Sequence, residues 1–321
     1  MADAKQRLTA LREELAKHSV DGFILPRADA HQVEALPPHA ERLAWLTGFT
    51  GSAGQTAILT EAATLLVDGR YALQAPEQVD RERYEIRHVS EEPLSDWLIE
   101  RLPEGGVVGY DPWLHSSAWV ERLRGKLTPN GITLKALDSN PVDAIWDDQP
   151  AAPKAPLVVH EERFAGKSSA AKRAELADAL RAKSADMAAL TSPESIAWLL
   201  NVRGADVPNT PLALSFALLN ADGTAVLFID PEKVGPETKA HLGNAVRLAP
   251  YERFSEALSA AAKDGKTILV DPQSMPEAVI ATITQAGGKP LRDQDPCTLP
   301  RAIKNEGEIA GTRAAHARDG V

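Results

Sequence analysis

The sequence predicts an α/β protein built from two tandem domains, each a mixed β-sheet flanked by helices. Three observations carry this. The 321 residues exceed one typical domain and suit two. One order of landmarks occurs twice along the chain. Within each copy, apolar runs of strand length alternate with helical periodicity. Some runs are joined by tight turns and others by helices, the pattern of mixed rather than purely parallel sheets.

The first copy opens with Leu8, Leu11 and Leu15 at helical spacing among charges. Those charges make an amphipathic helix and interrupt the apolar stretch a signal peptide needs. The apolar strand Asp21-Gly22-Phe23-Ile24-Leu25 follows, then Ala44-Trp45-Leu46 with Gly48 just after. Residues 56–59 and 64–68 read as paired strands across a polar turn. A strand at 107–110 ends in Asp111-Pro112, a helical stretch follows, and Asn140-Pro141 closes the copy.

The second copy repeats the series. Leu176 and Leu180 share a helical face within 171–183, and 186–190 is apolar. Ala197-Trp198-Leu199 precedes Gly204. Strands at 214–219 and 225–230 flank Asn220-Ala221-Asp222-Gly223, whose Asp-Gly step is a hairpin cue. The strand at 267–270 ends in Asp271-Pro272, and Asp295-Pro296 closes the copy. Matching landmarks stand roughly 150 to 165 residues apart, which points to duplication. The expected domains are 1–146 and 155–296, joined by the polar, proline-rich linker 147–154. A third begins at 297–321, where Asn305 and Glu308 form a capping-box pattern ahead of Ile309. An amphipathic helix at the end of a chain has nothing to pack on, so truncation is expected.

Composition bounds the function. Hydrophobic residues make up 44% and charged residues 25%, an ordinary globular balance. The formal net charge of -10 argues against binding nucleic acid or an anionic membrane, and leaves a basic protein partner open. No apolar run approaches the roughly 20 residues of a membrane span, so a soluble protein is expected. The single cysteine, Cys297, forbids an internal disulfide and suggests a cytoplasmic location; its thiol reads as incidental.

Few residues carry an obvious chemistry. The eight histidines show no H-E-x-x-H spacing. His31 and His39, with Glu34 and Glu41 nearby, come nearest to a metal set and read as a solvated loop. The run Gly48-Phe49-Thr50-Gly51-Ser52-Ala53-Gly54 lacks the G-K-[ST] ending of a phosphate loop, and a strand follows where a helix would be needed. Its glycines are assigned to backbone geometry. In Asp68-Gly69-Arg70-Tyr71 a turn presents Arg70, whose planar fork suits a carboxylate of a peptide or of another domain; a local ion pair is the simpler role. Arg203 has Asp206 close by in sequence. Glu91-Glu92 and Asp147-Asp148 read as solvated surface. Trp97, Trp113, Trp119 and Trp146 read as core or interface anchors.

Residues 42–71, RLAWLTGFTGSAGQTAILTEAATLLVDGRY, closely resemble the first domain of three-domain Xaa-Pro aminopeptidases of the creatinase-like metallopeptidase family. That domain carries a W-[LI]-[TS]-G-F-x-G-S-A-G element and a T-D-G-R-Y-type element; Val67 stands where the threonine is usual. Asn140-Pro141-Val142-Asp143 with Ile145-Trp146 is similar to the family's first join. Residues 198–211, WLLNVRGADVPNTP, resemble its W-L-x-N-x-R-G-x-D-[IV]-P element, and 301–321 its catalytic-domain opening.

The resemblance implies two creatinase N-terminal-like domains ahead of a "pita-bread" catalytic domain, of which 297–321 would be the first helix. That domain holds two divalent metals, usually manganese, between two Asp, one His and two Glu. A metal-bridging hydroxide attacks the carbonyl before proline. None of those ligands maps onto this chain, so no catalytic or metal residue is assigned in it. In related enzymes the loop corresponding to residues 49–54 reaches toward an active site, often the partner subunit's. Phe49, Gly51, Ser52, Arg70 and Tyr71 are therefore the substrate-cleft candidates, with a tight turn packing Trp45 as the alternative for the loop. The expected function is the non-catalytic part of an Xaa-Pro aminopeptidase acting on peptides with proline second. This part would cap the cleft, limit substrate length and support a homodimer, and would be inactive alone. A metal-free peptide- or protein-binding module is the alternative. Creatinase and prolidase usually carry one such domain, not two.

Overall fold

The structure, a computed structural model, describes residues 4–320. The chain divides into two compact units, 1–152 and 153–321. The division falls inside the stretch read as a linker.

The first unit is built on strands β1 (Gly22–Pro26), β2 (Gln55–Leu59), β3 (Ala63–Val67), β4 (Glu85–His88), β5 (Val107–Tyr110) and β6 (Thr133–Ala136). They lie in the order β4-β3-β2-β1-β5-β6. Only β2 runs against its neighbours; the other pairings are parallel. The first three strands are apolar almost throughout because both faces of the sheet are covered. Phe23 and Leu25 point to one face, with Leu8, Leu11 and Leu15 of the helix Ala4–Lys17 and Leu43 and Leu46 of the helix Arg42–Thr47. Ile24, between them, points to the other face, with Trp97 and Leu98 of the helix Leu94–Arg101 and Val120 and Leu123 of the helix Ser117–Leu127.

The second unit contains β7 (Val158–Val159), β8 (Met187–Leu190), β9 (Val202–Arg203), β10 (Phe216–Asn220), β11 (Ala225–Phe228), β12 (Val246–Ala249), β13 (Ile268–Val270) and β14 (Pro290–Arg292). Strands β7 and β9 form a small antiparallel pair. The other six lie in the order β12-β11-β10-β8-β13-β14, with β10 the single reversed strand. Each position matches the first sheet, so the duplication is structural.

It extends to individual hydrogen bonds. Asp21 and the Val107 amide bond at 2.7 Å, as do Asp186 and the Thr267 amide at 2.8 Å. Asp111 accepts from the Trp113 amide and Asp271 from the Gln273 amide, both at 2.9 Å. Each also receives a bond from the closing X-Pro step, from the Asn140 side chain or the Asp295 amide. Asn140 in turn accepts from the Val142 amide, and Asp295 from that of Cys297. Cys297 thus stands where Val142 stands. Both are fully buried, and burial pushes the thiol well up.

Two expectations change. The strand read as 214–219 begins at Phe216. Gly204 is not the counterpart of Gly48. Gly48 ends its helix at φ +83°, and the residue ending the helix Pro193–Leu200 is Asn201, at φ +51°. Asparagine tolerates the left-handed region better than other residues with a Cβ. Gly204 has a different constraint: a Cβ there would sit 2.7 Å from the backbone nitrogen of Ala213. Residues 297–320 group with the second unit in this chain. Asn305 caps the helix Glu306–Asp319 in a full capping box with Glu308, and its amide donates to the Ala165 carbonyl at 2.9 Å. None of the residues of this helix is buried.

Candidate functional site

Five of the six strands in the first sheet run the same way, so their C-terminal ends share one edge, where β2 begins. In open α/β sheets, ligands bind in the crevice outside those ends. Both sequence motifs of the first unit emerge here, the glycine loop before β2 and the Asp68–Tyr71 turn after β3.

Gly48 stops its helix and sends Phe49 inward, where it is 1% exposed and meets Tyr71 edge-on at 5.3 Å. The chain then passes beneath both rings. A Cβ on Gly51 would lie 2.2 Å from the Phe49 ring and 2.8 Å from that of Tyr71. The Tyr71 hydroxyl accepts from the Ser52 amide at 2.9 Å and bonds the Ser52 hydroxyl at 2.5 Å. The Ser52 side chain, then its amide, pulls the phenol below its ordinary pKa. Gln78 holds the Thr50 amide at 3.0 Å, and Arg27 reaches the Ser52 carbonyl at 3.2 Å. The loop is anchored on both flanks.

Asp68 caps the short turn Gly69–Tyr71 through the Arg70 amide at 2.9 Å. It also takes the Arg70 guanidinium at 2.7 to 3.0 Å. That contact holds the Asp68 carboxyl low and raises Arg70. The pair is solvent-facing, so it fixes side-chain direction more than it stabilises the fold. The Arg70 guanidinium lies 5.3 Å from the Tyr71 ring centre.

All five cleft candidates therefore converge, although they come from two separate motifs. Their roles divide. Phe49 is an interior ring and does not wall an open cleft. Gly51 lets the loop pass under the aromatic pair. Ser52, Arg70 and Tyr71 form the outer surface. A cleft of about 440 Å³ opens beside them, lined by Asp68, Arg81, Tyr84, Glu85, Arg87 and His88 among others. A second, of about 220 Å³, is lined by Pro26, Ala53, Leu66 and Val89; Val67 and Asp68 border both. Arg81, Glu85, Arg87 and His88 belong to no motif. Of these, His88 ends β4 at the same edge, while Glu85 begins that strand at its other end and Arg81 precedes it.

Other candidates resolve differently. The loop of His31 and His39 is packed, not solvated. His31 is buried, Asp29 accepts its amide at 2.9 Å, and Val33, Leu36 and Ala40 of the same stretch form a small buried cluster. Glu41 pairs with Arg27 at 2.8 Å. Burial pushes His115 down to about 3, where it stacks on Trp119 at 4.1 Å. Among the described residues no group of three or more His, Cys, Asp or Glu is placed to hold a metal ion. Asp206 is not the partner of Arg203. Arg203 donates to the carbonyls of Ala197 and Val202, while Asp206 pairs with Lys233 at 2.6 Å, both side chains buried.

Lys172, buried on the helix Ser169–Ala182, donates to the Trp198 carbonyl and the Asn201 side chain, with its ammonium 4.5 Å from the Trp198 ring. Desolvation lowers its pKa from 10.5 to about 8; Glu308 opposes the shift, and Arg203 and Lys167 add to it. Between these values the unfolded chain binds the extra proton, so stability should rise with pH from about 8 toward 10.5. Denaturant unfolding across that range should show a gain that shrinks in Lys172→Met. Parallel pH profiles for the two proteins would contradict it.

Two family patterns, each described as a Creatinase/Prolidase N-terminal domain, match the chain, one over residues 7–143 and the other over 148–308. A probable Xaa-Pro aminopeptidase P of Aspergillus niger is 36% identical over 328 aligned residues, covering 99% of this chain and 53% of that protein. The corresponding protein of Neosartorya fischeri is 36% identical over 326, covering 98% and 50%. The chain thus spans about half the length of these relatives. A crystal structure of an X-prolyl aminopeptidase from Caenorhabditis elegans, described as a cytosolic enzyme with a di-nuclear active site, superposes with a TM-score of 0.91 at 29% identity. That match covers 99% of this chain and 54% of the solved one. With two sheets of one topology and a family match over each, this chain belongs to the creatinase/prolidase N-terminal domain family and carries that domain twice.

Proposed function

We propose that the chain is the non-catalytic N-terminal part of a metal-dependent Xaa-Pro aminopeptidase, which releases the residue preceding a proline. One observation carries this: similarity to such enzymes runs through 99% of the chain but takes up only 53% of the relative. Two divalent metals, expected as manganese, would be held outside this stretch; among the described residues no group of three or more His, Cys, Asp or Glu is placed to hold one. The exposed helix Glu306–Asp319 is read as the first of the pita-bread domain. The two domains would cap the active site and support a homodimer. Ser52, Arg70 and Tyr71 would face the substrate cleft. A cytoplasmic location fits the single buried cysteine.

The test is an assay of residues 1–321 on an Xaa-Pro peptide with added manganese. No turnover is expected. Turnover by this stretch would overturn the non-catalytic assignment. A coding sequence beyond Val321 without two Asp, one His and two Glu in the family's order would overturn the peptidase.

A further inference from the structure

The two clefts flanking Asp68 differ in the charge they leave unspent. In the larger one the acids are already engaged. Asp68 holds Arg70 at 2.7 Å. Glu85 accepts from Arg101 at 2.7 Å and from the Trp97 indole at 3.2 Å, with Arg87 at 3.3 Å. Arg87 is shared with Glu92 at 3.4 Å. Besides the buried Tyr84 hydroxyl, which has no partner among the described residues, two donors are left. The Arg81 guanidinium makes no ion pair or hydrogen bond among the described residues. His88 accepts from the Ser90 amide at Nδ1, 3.3 Å, which puts the ring proton of the neutral form on Nε2. That nitrogen lies beside Gly69, 3.5 Å from where a Cβ would stand, and has no partner among the described residues. The smaller cleft is apolar along Pro26, Ala53, Leu66, Val67 and Val89. Unspent donors beside an apolar recess select an anion carried on an apolar body. The chain as a whole is at -10, so such selectivity has to be local.

We propose that the larger cleft, along β4, binds the C-terminal carboxylate of a short peptide. Arg81 supplies a bidentate guanidinium and His88 a single N–H donor, while the terminal apolar side chain enters the smaller cleft. Neutralisation of Asp68 by Arg70 removes the repulsion a second carboxylate would meet there. The choice of a peptide as carrier rests on the peptidase reading; the preference for a carboxylate rests on the clefts alone.

The experiment titrates the tripeptide Ala-Pro-Leu and its C-terminal amide into isotope-labelled chain 1–321 without metal, followed by amide chemical shifts. The free acid should bind about tenfold more tightly than the amide, a charge-assisted hydrogen bond's worth of discrimination. Shifts should centre on Arg81, His88 and Val89. Arg81→Gln should bring the acid down to the affinity of the amide and leave the amide unchanged. Arg81 is exposed, so its melting temperature should match the parent's. His88→Gln should cost the acid severalfold. Equal binding of acid and amide, no binding of either at millimolar concentration, or shifts elsewhere would overturn the proposal. Turnover does not enter this measurement, so a failure here leaves the peptidase reading standing. An inactive full-length parent would likewise leave a carboxylate preference intact.

Discussion

Replacing Asp206 with alanine should destabilise the second unit by about 3–5 kcal/mol, the range for removing one member of a buried ion pair. Its carboxylate lies 2.6 Å from the Lys233 ammonium, with side-chain exposures of 0% and 5%. It also accepts from the amides of Leu214 at 2.6 Å and Ala155 at 3.3 Å. Alanine would strand a cation and two amide donors away from water. Asp206→Leu with Lys233→Met should recover part of the loss, because it removes the lone charge but not the orphaned amides. Urea unfolding of the three proteins checks this. A loss below about 1 kcal/mol in the single variant would mean that water reaches the site. The aspartate of the R-G-A-D-V-P stretch is therefore assigned to holding β10's entry loop against the segment after β11.

The second large effect is expected at Phe49→Ala, about 3–5 kcal/mol on the first unit, the usual cost of emptying a buried aromatic site. The ring packs beneath the loop against Tyr71 and Leu43, and the close approach of Gly51 depends on it. Thermal unfolding of residues 1–321 should show this as loss of the first unit's transition with the second unchanged. An unchanged transition would place Phe49 outside the core. In a longer protein, kinetic effects of Phe49 substitutions would be read only after this folding defect is measured; Ser52 and Arg70, on the surface, allow a direct kinetic reading.

Much of the architecture was legible because its signals are local. Helix periodicity at Leu8, Leu11 and Leu15, the hairpin turn at Asp222-Gly223 and the cap at Asn305 each act within a few residues of chain. The convergence of the glycine loop with the Asp68 turn was readable as two motifs, but not as one site. Arg81 and His88 carried no pattern, because a cleft assembled by folding leaves no spacing in sequence.

The sequence by itself determined the duplication, the α/β class and the family, since repeated apolar runs, Asp-Pro steps and glycine positions are written along the chain. Tertiary structure alone decided that Phe49 faces inward, that Cys297 repeats the packing of Val142, and that Asp206 pairs with Lys233 rather than with Arg203 three residues away. The physical reason is the same in each case. Burial and charge pairing are set by which side chains meet across the folded sheet. For Asp206 the meeting lies 27 positions along the chain, beyond any local preference of the backbone.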